Sequence, residues 1–261
     1  MDDDIERLTA SSGCVLYTSS SPDKFIEVRQ LNRTLWMHFG DDAVQGCMSL
    51  DHPYQLLLLY TEAMLASFLF VGSPQRVLNL GVGCGSFERF FQTKLPGLQI
   101  DSVDSCQQVI ELAKRFFKVA RKKPLICEHA ETFVTAGQAS YDVIFCDLHA
   151  DNSHPACLFD SIFYGNCYER LSTDGVMVVN LLLTEQSQML KLLQTVREHF
   201  DTLVLMAVPN HKNTLLFALK GPFPDEQAML LRAKQLLPVF GVDLKPYIDQ
   251  FKVFSAAPEK I

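Results

Sequence analysis

Between Arg76 and Ser86 a short apolar run, Val77-Leu78-Asn79-Leu80, feeds directly into Gly81-Val82-Gly83-Cys84-Gly85, three glycines at alternate positions. A helical pattern from Phe87 to Phe91 follows. A second apolar stretch, Leu98 to Val103, ends in the carboxylate of Asp104, ~20 residues beyond the loop, the spacing of a nucleotide-binding strand–helix–strand unit. Glycines let backbone approach a ligand closely, the helix start offers free N–H groups, and a carboxylate at the next strand end can accept both ribose hydroxyls. The pattern therefore points to an adenosine-bearing cofactor. Two blander readings stand beside it: a tight turn with no ligand, and an Asp104 that only caps the following helix.

Closely spaced β-rich segments precede this unit: 14–18, 25–31, 34–39 and 44–48. They are separated by turn signals, Asn32-Arg33 being a two-residue hairpin candidate. Pro53 suits a first helical turn, and the apolar pattern predicts a helix from Tyr54 to Phe70, stopped by Gly72-Ser73-Pro74. Beyond it, strands at 76–80, 98–103, 124–127, 141–146 and 175–181 alternate with helices at 86–94, 106–120, 130–136, 158–171 and 185–199. Such alternation implies a parallel sheet covered on both faces. Strands 202–208 and 213–219 flank Pro209-Asn210 and should pair antiparallel; the tail from Pro222 reads as a helix and a loose end. The expected fold is α/β, a doubly wound Rossmann-like sheet with a C-terminal antiparallel strand, the layout of class I S-adenosylmethionine enzymes. Residues 1–50 form a small N-terminal antiparallel β domain and residues 51–261 the sheet domain.

Bulk properties narrow the partners. In a chain of 261 residues with 48% apolar content, a net charge of −7 argues against nucleic acid. The basic run Lys114 to Lys123 reads as the solvated side of an amphipathic helix. The apolar run Leu56 to Val71 is interrupted by Tyr60, Thr61 and Glu62 and is short of the ~20 residues of a membrane span. Eight scattered cysteines with no C-x-x-C pair, and an opening Met1-Asp2-Asp3-Asp4 without a basic-then-apolar leader, give the expectation of a reduced cytoplasmic protein.

The strand Val143 to Cys146 ends in Asp147, followed by Leu148-His149-Ala150-Asp151. Ligands of doubly wound sheets bind outside the carboxyl ends of strands, which puts Asp147 on the edge shared by the glycine loop and Asp104. A carboxylate there could orient or deprotonate an attacking amine; a helix cap or a solvated loop is the alternative. His149, His154 and Asp151 lack a further ligand cluster, so no metal is expected. His129 and Ala130 follow the strand 124–127, where adenine usually lies in this layout. Cys84 has no partnered base in the motif and reads as packing rather than as a nucleophile.

Over almost its full length the chain resembles spermidine synthase and its relatives, the polyamine aminopropyltransferases. Phe25-Ile26-Glu27-Val28 and the segment 35–45 are similar to their β domain. Val103 to Glu111 is similar to the ribose-binding segment, with Asp104 as its acidic residue beside Ser105. Tyr141 to Asp147 is similar to the strand carrying the family's catalytic aspartate, and Gln45 matches a glutamine that approaches the nucleoside. The resemblance implies S-adenosylmethionine or decarboxylated S-adenosylmethionine as cofactor and a small-molecule acceptor, with an amine among the candidates. It also implies a homodimer and a link to polyamine biosynthesis, with Tyr54, Leu148 and Asp151 lining the acceptor pocket. The chain departs from the family at informative positions. Cys84 stands where the family has a loop aspartate that binds the amine of the decarboxylated cofactor and repels the carboxylate of the ordinary one. Tyr54-Gln55-Leu56 stands for a Tyr-His-Glu or Tyr-Gln-Glu segment, and His129 for an aspartate near adenine. Three functions stay open: transfer of a methyl or aminopropyl group to an unknown acceptor, genuine polyamine aminopropyl transfer, and a silent nucleoside-binding homologue.

Overall fold

The computed structural model describes residues 8–19, 25–40, 44–120, 124–149, 155–183, 185–209 and 211–255. Asp151 and His154 lie outside them. Four strands, β1 (Cys14–Thr18), β2 (Glu27–Leu31), β3 (Thr34–His38) and β4 (Gly46–Ser49), form an antiparallel meander in chain order. Leu31 pairs with Thr34 across Asn32-Arg33, and Asn32 takes a left-handed φ of 50°, so the two-residue turn forms as expected.

The second sheet has eight strands in the order β12-β10-β11-β9-β8-β5-β6-β7. Its parallel part comprises β5 (Arg76–Leu80), β6 (Gln99–Asp104), β7 (Leu125–Cys127), β8 (Tyr141–Cys146) and β9 (Leu171–Leu181). β10 (Thr202–Ala207) and β11 (Thr214–Leu219) pair antiparallel, and β11 pairs antiparallel with β9. The chain leaves β5 toward β6 on one side and later returns to β8 on the other, so the order reverses at β5. In sheets of this kind that crevice is where ligands bind. Side-chain alternation serves both faces: Val77, Val143, Phe145, Val176 and Val178 join one core cluster, Leu78, Leu80, Ile144, Met177 and Val179 the other.

The helices are α1 (Leu59–Met64), α2 (Ser86–Lys94), α3 (Gln107–Phe116), α4 (Ala130–Ala136), α5 (Ser161–Arg170), α6 (Gln186–Arg197), α7 (Glu226–Phe240) and α8 (Lys245–Ile248). The N-terminal meander packs Ile26, Val28, Leu35, Met37 and Met48 onto Val109, Leu112, Phe117 and Cys84, so it covers α3 and the glycine loop. Among the described residues no helix is long and apolar enough to cross a membrane.

Four local expectations need correction. The helix expected over 54–70 is α1 followed by a tighter 3-10 stretch, Leu65–Leu69, and residues 54–58 lie outside it. The carbonyl of Pro53, needed by a first helical turn, instead accepts from Arg89 Nε at 2.6 Å. Helix 106–120 stops at Phe116 because Lys118 adopts a left-handed φ of 54°. Helix 158–171 starts only at Ser161, where Asp160 caps Ile162 N at 2.9 Å; residues 171–174 extend β9 through an irregular register with β8. The expected loose end contains β12 (Lys252–Ser255), which pairs antiparallel with β10 and carries an exposed Val253 and Phe254.

Candidate functional site

The ends of β5, β6 and β8 meet at the switch point and are tied together by backbone. Gly81 N donates to Val103 O at 2.8 Å, and Asp147 N donates to Leu80 O at 2.9 Å. Gly81, Gly83 and Gly85 have φ of 99°, 51° and 72°, conformations that side-chain-bearing residues rarely adopt. A Cβ on Gly81 would stand 2.2 Å from the carbonyl oxygen of Asp147, so this glycine lets the two strand ends touch. Gly85 stands at the N-cap of α2.

Asp104 closes the loop from below. Its Oδ2 accepts from Val82 N at 3.0 Å and Gly83 N at 3.4 Å, while Oδ1 accepts from Cys106 N at 2.9 Å. The carboxylate thus serves the loop and the start of α3 together, and Oδ1 keeps one acceptor position. Behind the loop, Glu88 Oε1 accepts from Asn79 Nδ2 at 2.8 Å, and burial pushes the Glu88 carboxyl up.

Cys84 is 2% exposed and faces the N-terminal meander. A Cβ on Gly46 would meet its Cβ and Sγ at 2.8 Å, so β4 lies directly on the thiol. Burial pushes the thiol well above its ordinary range, which leaves it neutral at physiological pH. Arg89, itself 4% exposed, fixes this junction by donating to four carbonyls: Pro53, Cys84, Phe117 and Cys47.

At the other end Asp147 is held by side chains. Tyr60 Oη donates to its Oδ2 at 2.9 Å, Asn180 Nδ2 donates to its Oδ1 at 2.8 Å, and His149 Nε2 lies 3.9 Å from Oδ1. Burial, with the Asp147 charge beside it, pushes the Tyr60 phenol well above its ordinary value, so it stays a donor.

One cleft, partly open to solvent, joins the two ends. It is lined by Gln45, Gly81, Gly83, Cys84, Asp104, Ser105, Asp147 and Leu148 among the residues singled out in the sequence, and also by Tyr60, Thr61, Phe87 and His149. Gly85, at the N-cap of α2, falls just outside the lining, and three others stand elsewhere. Tyr54 lies under the Lys94 ammonium, 5.1 Å from its ring centre. His129 is largely exposed beside Glu131, and Ala130, the first residue of α4, is buried in the core cluster that contains Val103. The tyrosine that touches Asp147 is therefore Tyr60. Sequence reading missed it by taking Tyr54-Gln55-Leu56 as the Tyr-x-Glu segment, although Tyr60-Thr61-Glu62 carries that pattern intact. Glu62 Oε1 accepts from Tyr247 Oη at 3.5 Å and is not part of the cleft lining. The positive-φ backbone cradle and Asp104, with an acceptor position left on Oδ1, fit a nucleoside. No group of three or more metal-ligating side chains occurs among the described residues.

Residues 58–221 match the family model described as Spermine/spermidine synthase domain. The polyamine aminopropyltransferase of Neisseria meningitidis serogroup A is 30% identical over 215 residues, 79% of this chain and 81% of that protein. The eEF1A lysine and N-terminal methyltransferase of Xenopus laevis is 26% identical over 187 residues, 64% of this chain but 27% of that protein. Among solved structures, a probable spermidine synthase from Corynebacterium glutamicum aligns over 97% of this chain and 99% of its own, with a TM-score of 0.68 at 15% identity. Human methyltransferase-like protein 13 in complex with SAH aligns over 70% of this chain and 92% of its own, with a TM-score of 0.65 at 20% identity. The fold is that of class I methyltransferase-like enzymes, and the chain belongs to the spermine/spermidine synthase domain family.

Proposed function

We propose that the cleft binds S-adenosylmethionine or its decarboxylated form and serves transfer of an alkyl group from it to a small amine. The observation that supports this most is the placement of Asp147, braced by Tyr60 and Asn180, in the same cleft as the glycine loop and Asp104. Gly81, Gly83 and Gly85 shape the cofactor cradle, Asp104 holds the ribose, and Gln45 and Ser105 close its sides. The bound sulfonium nucleoside supplies an activated alkyl carbon. The protein then has mainly to align the nucleophile and receive its proton. Asp147 does both: its free acceptor positions take N–H groups of the amine, and it accepts the proton the nitrogen loses on becoming bonded to carbon.

Cys84 supports the carboxylate-bearing cofactor, hence methyl transfer. A neutral thiol removes the repulsion that a loop aspartate exerts on that carboxylate, a contact worth roughly ten- to a hundredfold in preference. The kinship with polyamine aminopropyltransferases favours a second reading, aminopropyl transfer from the decarboxylated form. Calorimetry with S-adenosylmethionine, its decarboxylated analogue and methylthioadenosine decides between them. Equal or tighter binding of S-adenosylmethionine is expected; a preference of about tenfold for the decarboxylated form would overturn the reading of Cys84. Absence of binding by all three would overturn the enzyme reading. Asp147→Asn should leave nucleoside binding within about threefold while abolishing transfer.

A further inference from the structure

Asp147 is braced from behind by a chain of amides that reaches beyond the cleft. Asn180 Nδ2 donates to Asp147 Oδ1 at 2.8 Å, and Asn213 Nδ2 donates to Asn180 Oδ1 at 2.8 Å. Asn180 lies near the end of β9, where it pairs with Leu215 of β11; Asn213 directly precedes β11. The two residues are 1% and 8% exposed.

The direction of this chain is chemically forced. A carboxylate oxygen only accepts, so Asn180 must turn its NH2 toward Asp147. Its carbonyl then faces the other way, where only a donor satisfies it in a buried site. Asn213 supplies that donor. Because each amide has one donor end and one acceptor end, the orientation of Asn213 is passed to Asn180 and from there to the carboxylate. Among the described residues, the other groups facing Asp147 are the Tyr60 hydroxyl, the His149 ring and the neutral Cys146 thiol.

We infer that Asn213 and Asn180 form a two-amide relay that fixes the Asp147 carboxylate, making both of them positioning residues for the amine acceptor. The consequence for the acceptor rests on the proposed role of Asp147. The relay itself belongs to the ligand-free protein and is testable there.

The test follows the Asp147 carboxyl carbon by NMR in the full chain labelled at aspartate, its signal identified by loss in Asp147→Asn. Asn180→Asp keeps the size and the bond from Asn213 but sets two carboxyl groups against each other, so that they share a proton. The Asp147 titration is expected to move upward by about one unit or more relative to the unsubstituted protein. Asn213→Asp acts one step further back: its carboxylate draws the Asn180 NH2, so Asn180 turns over and presents its carbonyl to Asp147. An upward move of about half a unit or more is expected. In an Asn180→Leu background, where the relay is cut, Asn213→Asp should lose most of that effect. A titration unmoved by Asn180→Asp, to within about 0.2 unit, would overturn the relay. So would an Asn213→Asp shift of equal size in both backgrounds, which also serves as the deciding result where Asn180→Asp fails to fold. With the relay upheld, 1,4-diaminobutane is titrated into protein saturated with S-adenosylmethionine. Weaker binding to Asn213→Asp supports the acceptor role, and unchanged measurable binding overturns that role while leaving the relay standing.

Discussion

The two ends of the cleft are built from different materials. The glycine-loop end, proposed above to hold the nucleoside, is made of backbone: three positive-φ glycines, amides held by Asp104, and a carbonyl of the loop gripped by Arg89. The Asp147 end, proposed above to hold the amine, is made of side chains, Tyr60, Asp147 and Asn180, drawn from three parts of the chain far apart in sequence. Backbone geometry is shared with the rest of the fold, so damage to the first end spreads. A side-chain cluster can lose one member and keep the scaffold. Substitutions at the nucleoside end should therefore cost stability, and those at the amine end should cost chemistry.

Arg89→Met offers the most severe trial. It strips donors from four carbonyls belonging to β4, the segment before α1, the glycine loop and the end of α3. Unsatisfied buried acceptors cost ~1–3 kcal/mol each, and partial relaxation brings the expected total to roughly 3–5 kcal/mol in chemical denaturation. A loss under about 1 kcal/mol would show that the junction does not depend on this guanidinium.

Gly81→Ala comes next, because its Cβ would stand 2.2 Å from the Asp147 carbonyl at a φ of 99°. Strain and overpacking together predict a loss of roughly 2–5 kcal/mol. Gly97→Ala, with nothing within 4 Å of its Cβ, is the control and should stay within about 0.5 kcal/mol.

The same contrast governs what could be read from the sequence. Backbone work leaves a local signature, since glycines at 81, 83 and 85 are needed wherever φ is positive, and Asp104 and Asp147 announce themselves by ending apolar strands. Side-chain work leaves almost none. Tyr60 sits inside the run Leu56 to Val71, where an aromatic residue reads as core. Asn180 is a single polar residue in Val178-Val179-Asn180-Leu181, a signal of a buried polar contact but not of its partner. Asn213 reads only as the polar first residue of the strand 213–219. Only the sheet order, with β11 inserted beside β9, brings 60, 147, 180 and 213 together. Helix ends were equally hidden, because Arg89 competes for the Pro53 carbonyl across 36 residues of chain.

Asp104→Ala probes the seam between the two constructions, a side chain serving backbone. It frees Val82 N and Gly83 N and removes the ribose acceptor, so nucleoside affinity should fall at least about tenfold, ~1.4 kcal/mol. Asp104→Asn, which still offers one oxygen to the loop, should fall between Ala and the unsubstituted chain. Unchanged affinity by calorimetry in Asp104→Ala would remove this residue from the site.

Tyr60→Phe carries the smallest expected effect and separates the two ends most cleanly. Only the hydroxyl that donates to Asp147 Oδ2 disappears, while the ring keeps its place in the core cluster. A hydrogen bond to a charged group contributes ~1.5–3 kcal/mol, partly replaced here by solvent at the open cleft, so transfer should slow by roughly tenfold. Nucleoside affinity should change less than about twofold. Because burial holds the phenol well above its ordinary value, the donor stays protonated into mildly alkaline solution. The ratio of variant to unsubstituted rates should accordingly be the same at about pH 7 and pH 9. Weakened nucleoside binding in Tyr60→Phe would mean that the amine end also supports the cradle, and the division between backbone and side-chain construction would no longer hold.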